Sequence, residues 1–131
     1  MSQVDDVDVM RIVVADGNRA TRYGVGVALR NEPDMAIVGE AEDGYAAIRL
    51  AHELHPDVLV VDLYLARIRG LEVIRELIPL LPELAILVFS NETRLRADAI
   101  REGASAFVTK DSREERLVSE IRRVGAARAV S

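Results

Sequence analysis

The sequence predicts an α/β fold, a five-stranded parallel sheet with helices on both faces, from three observations. Five short apolar runs rich in β-branched residues alternate strictly with five longer stretches of helical spacing. Such alternation requires right-handed crossovers and a parallel sheet covered on both sides. The chain has 131 residues, the size of one ordinary domain, enough to bury a core without metals or crosslinks.

In chain order, the strands are expected at Arg11–Ala15, Met35–Val38, Asp57–Val61, Ala85–Phe89 and Ala106–Val108. A helix is expected at Ala20–Arg30 and a second at Gly44–Leu54, where Ala47, Ile48, Ala51 and Leu54 share one face. Asp43 caps that helix and His55-Pro56 ends it. Leu71–Ile78 follows, with Leu71, Ile74, Leu77 and Ile78 inward, and Pro79 and Pro82 bracket the turn before the fourth strand. Thr93–Glu102 reads as the fourth helix, closed by Gly103, and Arg113–Val124 as the fifth, with Leu117, Ile121 and Val124 aligned. The acidic residues 1–8 read as a flexible N-terminus, and residues 126–131 as a tail or the start of a linker.

In such a sheet the site lies at the carboxyl ends of the strands, which here carry Asp16, Glu40, Asp62, Ser90 and Lys110. If the strand order is the flavodoxin-like 2-1-3-4-5, strands one and three are neighbours at the switch point. Asp16 and Asp62 then meet, with Ser90 and Lys110 alongside. A carboxylate pair suits Mg²⁺, and a hydroxyl with an ammonium suits phosphate oxygens, so the set describes a phosphoryl-transfer site. Taken singly, each residue has an ordinary reading: Asp16-Gly17 as a tight turn, Asp62 or Ser90 as a helix cap, Lys110 as a surface lysine. Their joint placement at four strand ends favours the site.

Other phosphate chemistries fit worse. Gly24 and Gly26 lack a third glycine and fall inside the first helix, and no Walker-type GK[ST] occurs. A haloacid-dehalogenase-like phosphatase needs a second Asp where Tyr64 stands, and the loop "GNRATR" is not the hydroxyl-rich loop of a flavodoxin.

Three segments carry a resemblance. "HPDVLVVDLYLARIRGLEVIREL" (His55 to Leu77) resembles the phosphoacceptor segment PDxxxxDxxMPxxxGxE of bacterial two-component response-regulator receiver domains. "GASAFVTKDS" (Gly103 to Ser112) resembles their GAxGYLxKxx segment. "VGEAEDGYAAI" (Val38 to Ile48) is similar to their second strand and helix entry, especially in the subfamily with a C-terminal helix-turn-helix output domain. The resemblance spans residues 9–125. It implies that Asp62 accepts a phosphoryl group from a histidine kinase, Lys110 and Ser90 bind it, and Ser90 and Phe107 act as the switch. It also implies transcription regulation through an output surface formed by the fourth helix, fifth strand and fifth helix, where Arg94, Arg96, Arg101, Arg113 and Arg116 lie. That surface, or helices one and five, would serve a homodimer. DNA would be reached only through an output domain outside this chain. Self-catalysed phosphorylation and dephosphorylation of the aspartate is the only chemistry implied.

The departures from that pattern cluster at one corner. Receivers end their first strand in two acids, and the second usually ligates the metal; here it is Gly17. Asp16, Asp62 and the backbone carbonyl of Tyr64 remain as Mg²⁺ ligands. Losing an inner ligand costs at least on the order of 100-fold in affinity, so weak Mg²⁺ binding is expected. Leu65-Ala66 replaces the usual Met-Pro, Asn91 replaces a small residue, and Tyr64, Asn91 and Glu92 stand where the family tunes its kinetics. These changes also support a rival expectation, a phosphorylation-independent pseudo-receiver acting as a dimerisation or ligand-binding module.

Composition narrows the partners. The formal charge of −5 disfavours direct binding to nucleic-acid backbones. No Cys is present, so disulfides and thiolate sites are excluded. No apolar run reaches the roughly 20 residues of a membrane span, and a cytoplasmic protein is expected. Of 17 basic residues only Lys110 is a lysine, which singles out its position.

Overall fold

The protein is described here by a computed structural model covering residues 9–130, with side chains through Ala127. β1 (Met10–Ala15), β2 (Met35–Ala41), β3 (Val58–Val61), β4 (Ala85–Phe89) and β5 (Ala106–Val108) form one parallel sheet in the order β2-β1-β3-β4-β5. The helices are α1 (Arg19–Leu29), α2 (Gly44–Leu54), α3 (Gly70–Leu80), α4 (Arg96–Glu102) and α5 (Glu114–Val130), and a 3₁₀ turn at Thr93–Leu95 leads into α4.

Side chains along each strand alternate between two cores, as a sheet covered on both faces demands. Val13, Ala15, Leu59, Val61, Ile86 and Val88 join the α2, α3 and α4 side, against Ala47, Ala51, Val73, Ile74, Leu77 and Ala99. Ile12, Val14, Val58, Val60, Ala85 and Leu87 join the α1 and α5 side, against Val25, Leu29, Leu117, Ile121 and Val124. The two sets of helices clamp the central strands β1, β3 and β4, whose carboxyl ends carry the site.

Capping explains how the helices leave that edge. The Asn18 side chain accepts from the Ala20 and Thr21 N–H groups at the start of α1, and Asp43 accepts from Ala46 N–H at the start of α2. His55, left-handed at φ 47°, ends α2. Gly44 is required by close approach, since a Cβ there would overlap the Ile68 carbonyl. Gly103 is left-handed at φ 123° and closes α4.

Four boundaries differ from the sequence expectation. β2 continues to Ala41, so Glu40 lies within the strand rather than at its end; a register irregularity opposite Ile12 and Val13 accommodates the added length. Pro79 lies inside α3 rather than in the following turn, because Leu81 N–H still reaches the Leu77 carbonyl at 2.7 Å and closes the helix around it. The Thr93–Glu102 stretch divides into a 3₁₀ turn and α4; Leu95 N–H donates three residues back, to Glu92, at 3.0 Å. The fifth helix passes Val124 and runs to Val130, through most of the expected tail. Gly125 is no stop there. It lets α5 approach β1, since a Cβ would strike the Met10 thioether. The expectation for residues 1–8, and that for Ser131, fall outside the described residues.

Candidate functional site

Parallel pairing of β1 with β3 aligns Ala15 with Val61, so the next residues, Asp16 and Asp62, emerge side by side. Asp62 N–H donates to the Ala15 carbonyl at 3.0 Å, which extends the ladder and holds the two acids in step. Both are buried, at 3% and 7% exposure, as is Ser90 at 1%. The Lys110 ammonium lies 2.8 Å from Asp16 Oδ2 and 3.0 Å from Asp62 Oδ2. Burial pushes this lysine toward its neutral form, but the hydrogen bonds it donates to Asp16 and Asp62 outweigh it and hold its pKa above the ordinary value. Two buried carboxylates therefore share one ammonium at the switch point of the sheet.

Each remaining residue singled out in the sequence can be placed. Asp16-Gly17-Asn18 is a turn and also part of the site: Asn18 N–H donates to Asp16 Oδ1 at 2.8 Å, while Oδ2 faces Lys110. Gly17 is exposed, and a Cβ built on it meets only the Glu42 carbonyl at 3.6 Å, an ordinary contact. Glu40 does not join the cluster; it is exposed and pairs with Arg22 at 3.1 Å. The Ser90 hydroxyl accepts from Glu92 N–H at 3.1 Å. Tyr64 is 56% exposed, its ring under the Arg69 guanidinium at 5.5 Å. Glu92 pairs with Arg94. Phe107 is buried, with Arg96 over its ring at 5.5 Å. Arg94, Arg96, Arg101, Arg113 and Arg116 are all exposed, and Arg101 pairs with Asp98.

For a divalent cation the donors present fit in type and are short in number. Two carboxylates lie within what Mg²⁺ commonly takes from protein. Among the described residues, however, no group of three acidic or histidine side chains converges, and the two carboxylates already share Lys110. Asp16, Asp62 and the Tyr64 carbonyl are the candidates to hold it.

Two neighbours of the site, Arg22 and Gly70, were not singled out in the sequence, and the bond by which Asn91 joins it was not legible there. Arg22 donates to the Asp16 carbonyl at 2.6 Å and braces the β1–α1 turn. Gly70 lies against the backbone of Asp62, where a Cβ would overlap the Asp62 carbonyl. Asn91 Oδ1 accepts from Lys110 N–H at 3.1 Å. The glycine had a signal, its place in the segment after Asp62. The other two depend on pairings across the fold that no local pattern encodes.

The fold and the acid–lysine cluster define a doubly wound α/β signalling domain with its site at the switch point. Residues 12–122 match the family model described as the response regulator receiver domain, and the chain belongs to that family. It is 33% identical over 112 residues to the transcriptional regulatory protein YdfI of Bacillus subtilis, covering 82% of this chain and 51% of that protein. It is 32% identical over 124 residues to the DNA-binding transcriptional activator DevR/DosR of Mycobacterium tuberculosis, covering 93% and 57%. A two-component response regulator of the LuxR family from Aurantimonas sp. SI85-9A1 superposes with a TM-score of 0.85 at 32% identity, covering 91% of this chain and 86% of that one. The chain spans about half the length of the curated relatives it matches. It is thus a receiver domain of two-component signalling whose relatives are transcription regulators. Receiver domains generally bind Mg²⁺ at this acidic pocket and exchange signals with histidine kinases. Among the described residues no helix is long and apolar enough to cross a membrane.

Proposed function

We propose that this domain accepts a phosphoryl group on Asp62 from a histidine kinase and passes the signal to transcription through an output domain outside this chain. The observation that carries the reading is the Lys110 ammonium 3.0 Å from Asp62 Oδ2 in a buried acidic corner. An Asp62 carboxylate oxygen attacks phosphorus, the O–P bond forms as the N–P bond of a phosphohistidine breaks, and the imidazole leaves with the electron pair. Lys110 then pairs with phosphoryl oxygens, and Ser90, freed from Glu92 N–H, hydrogen-bonds another. Phe107 is the switch aromatic. Movement of these residues alters the surface made by α4, β5 and α5, which shifts the population between two packings. That surface, or α1 with α5, is offered to a second copy of the chain. Mg²⁺ bound by Asp16, Asp62 and the Tyr64 carbonyl would neutralise charge on the phosphoryl group, and its binding is weak because Gly17 supplies no carboxylate. The setting is the cytoplasm, and no substrate other than the phosphodonor is turned over.

A second reading, a phosphorylation-independent module for dimerisation or ligand binding, is favoured by the same lysine: with no acid at position 17, Lys110 already neutralises half of the pocket's charge. Intact mass after incubation with acetyl phosphate and Mg²⁺ separates the two. One added phosphoryl group on the parent and none on Asp62→Asn supports the first reading. An unmodified parent, with regulation unaffected by Asp62→Asn in the full-length regulator, supports the second.

A further inference from the structure

We propose that Asn91 is a positioning residue for Lys110: its side-chain amide fixes the backbone from which the ammonium reaches Asp16 and Asp62, and ties it to the Ser90 segment. The inference rests on the reading of Asp62, Ser90 and Lys110 as the phosphoryl site.

The reason lies in how the β4–β5 ladder ends. The last paired residues are Phe89 and Val108, and Ser90 N–H then donates to the Val108 carbonyl at 3.1 Å. In a parallel ladder the next bond runs back, from the N–H two residues further along β5 to the neighbouring strand. That N–H belongs to Lys110, but β4 has already turned away into the 3₁₀ turn, with Thr93 N–H on the Asn91 carbonyl at 2.9 Å. Asn91 Oδ1 takes the place of the departed backbone and accepts from Lys110 N–H at 3.1 Å, across 19 residues of sequence. Only the amide oxygen can accept, so the orientation of the side chain is fixed.

The rest of the β5–α5 loop is held from within: the Thr109 hydroxyl donates to Asp111 Oδ1 at 2.6 Å and lies 2.9 Å from the Ser112 hydroxyl. Lys110 is the point where this loop is tied to the neighbouring one. Ser90 and Asn91 are adjacent, one bonded to Val108 and the other to Lys110. These two bonds hold the backbone that carries the Ser90 hydroxyl and the backbone that carries the ammonium in one frame.

The test compares the parent with Asn91→Ala and Asn91→Asp, the latter keeping an acceptor oxygen. Amide hydrogen exchange is read by NMR at Lys110 and in β3, and the initial rate of Asp62 labelling by acetyl phosphate is read at fixed Mg²⁺. One neutral hydrogen bond corresponds to about fivefold. In Asn91→Ala we expect Lys110 exchange to rise about fivefold with β3 unchanged, and labelling to slow by about the same factor. Asn91→Asp restores the protection of the Lys110 amide. Unchanged Lys110 exchange in Asn91→Ala overturns the proposal, as does a rise spread evenly over β3, which would mark a general loss of stability. A parent that takes no label defeats the phosphoacceptor reading, and the exchange comparison still decides whether Asn91 holds Lys110.

Discussion

One lysine serves two carboxylates at this site, both more than nine-tenths buried. Removing one partner from a buried ion pair leaves the remaining charge without compensation, which typically costs about 3–5 kcal/mol. Lys110→Gln should therefore destabilise the domain by about 3 kcal/mol at neutral pH, measured by urea unfolding, and adding Asp16→Asn should recover part of the loss. Full additivity of the two changes would contradict the shared ammonium. Gly70 presents the opposite kind of sensitivity, steric rather than electrostatic. Because a Cβ there would overlap the Asp62 carbonyl, Gly70→Ala should cost about 1–3 kcal/mol and perturb the Asp62 amide signal in an NMR spectrum. The importance of Lys110 was legible in the sequence because it is the only lysine, at the end of a strand. Its tie to Asn91 was not: the sequence marks Asn91 only as a larger residue than usual after Ser90, and the pairing with Lys110 needs β4 and β5 side by side.

At the scale of elements, α5 is fastened to the α1–β2 turn by Arg122, which meets Glu32 at 2.7 Å and Asp34 at 2.9 Å. The hydrogen bond from Arg122, larger than the opposing effect of burial, holds the Asp34 carboxyl below the usual carboxylate range. The folded-state pKa is thus below the unfolded one, so the stabilisation is present at neutral pH and lost as pH falls through the folded-state value. These groups are partly exposed, so the contribution is at most about 1 kcal/mol after screening. Arg122→Ala should be less stable than the parent at neutral pH, with the gap closing as pH falls through the folded-state value of Asp34, as read by paired thermal melts; a gap that stays constant into strong acid would contradict the account. Elements with a strong period were legible, among them α2, whose Asp43 cap and terminal His55 are both in place. The end of α5 was not, because Gly125 looks like a terminator and is in fact a point of close approach to Met10. The start of α4 was not either, since Leu95 and Ala99 satisfy a helical period whether or not the first turn is 3₁₀.

For the whole molecule, the two cores on opposite faces of one sheet make the site edge rigid: β1 and β3 are covered from both sides, so Asp16 and Asp62 cannot separate without disturbing both. Ile121, fully buried on the α5 side, should cost about 2–5 kcal/mol when cut to alanine, with global rather than local loss of amide protection. On the proposed reading position 17 is where a second acid is missing, and a Cβ added at Gly17 meets only the Glu42 carbonyl at 3.6 Å, an ordinary contact. The most direct measurement is the Mg²⁺ dependence of Asp62 labelling by acetyl phosphate, followed by intact mass, in the parent and Gly17→Asp. The account predicts one phosphoryl group in each, with half-maximal rate in the parent at about 100-fold higher Mg²⁺. Equal Mg²⁺ requirements, or a parent that takes no label at any Mg²⁺ concentration, would contradict it.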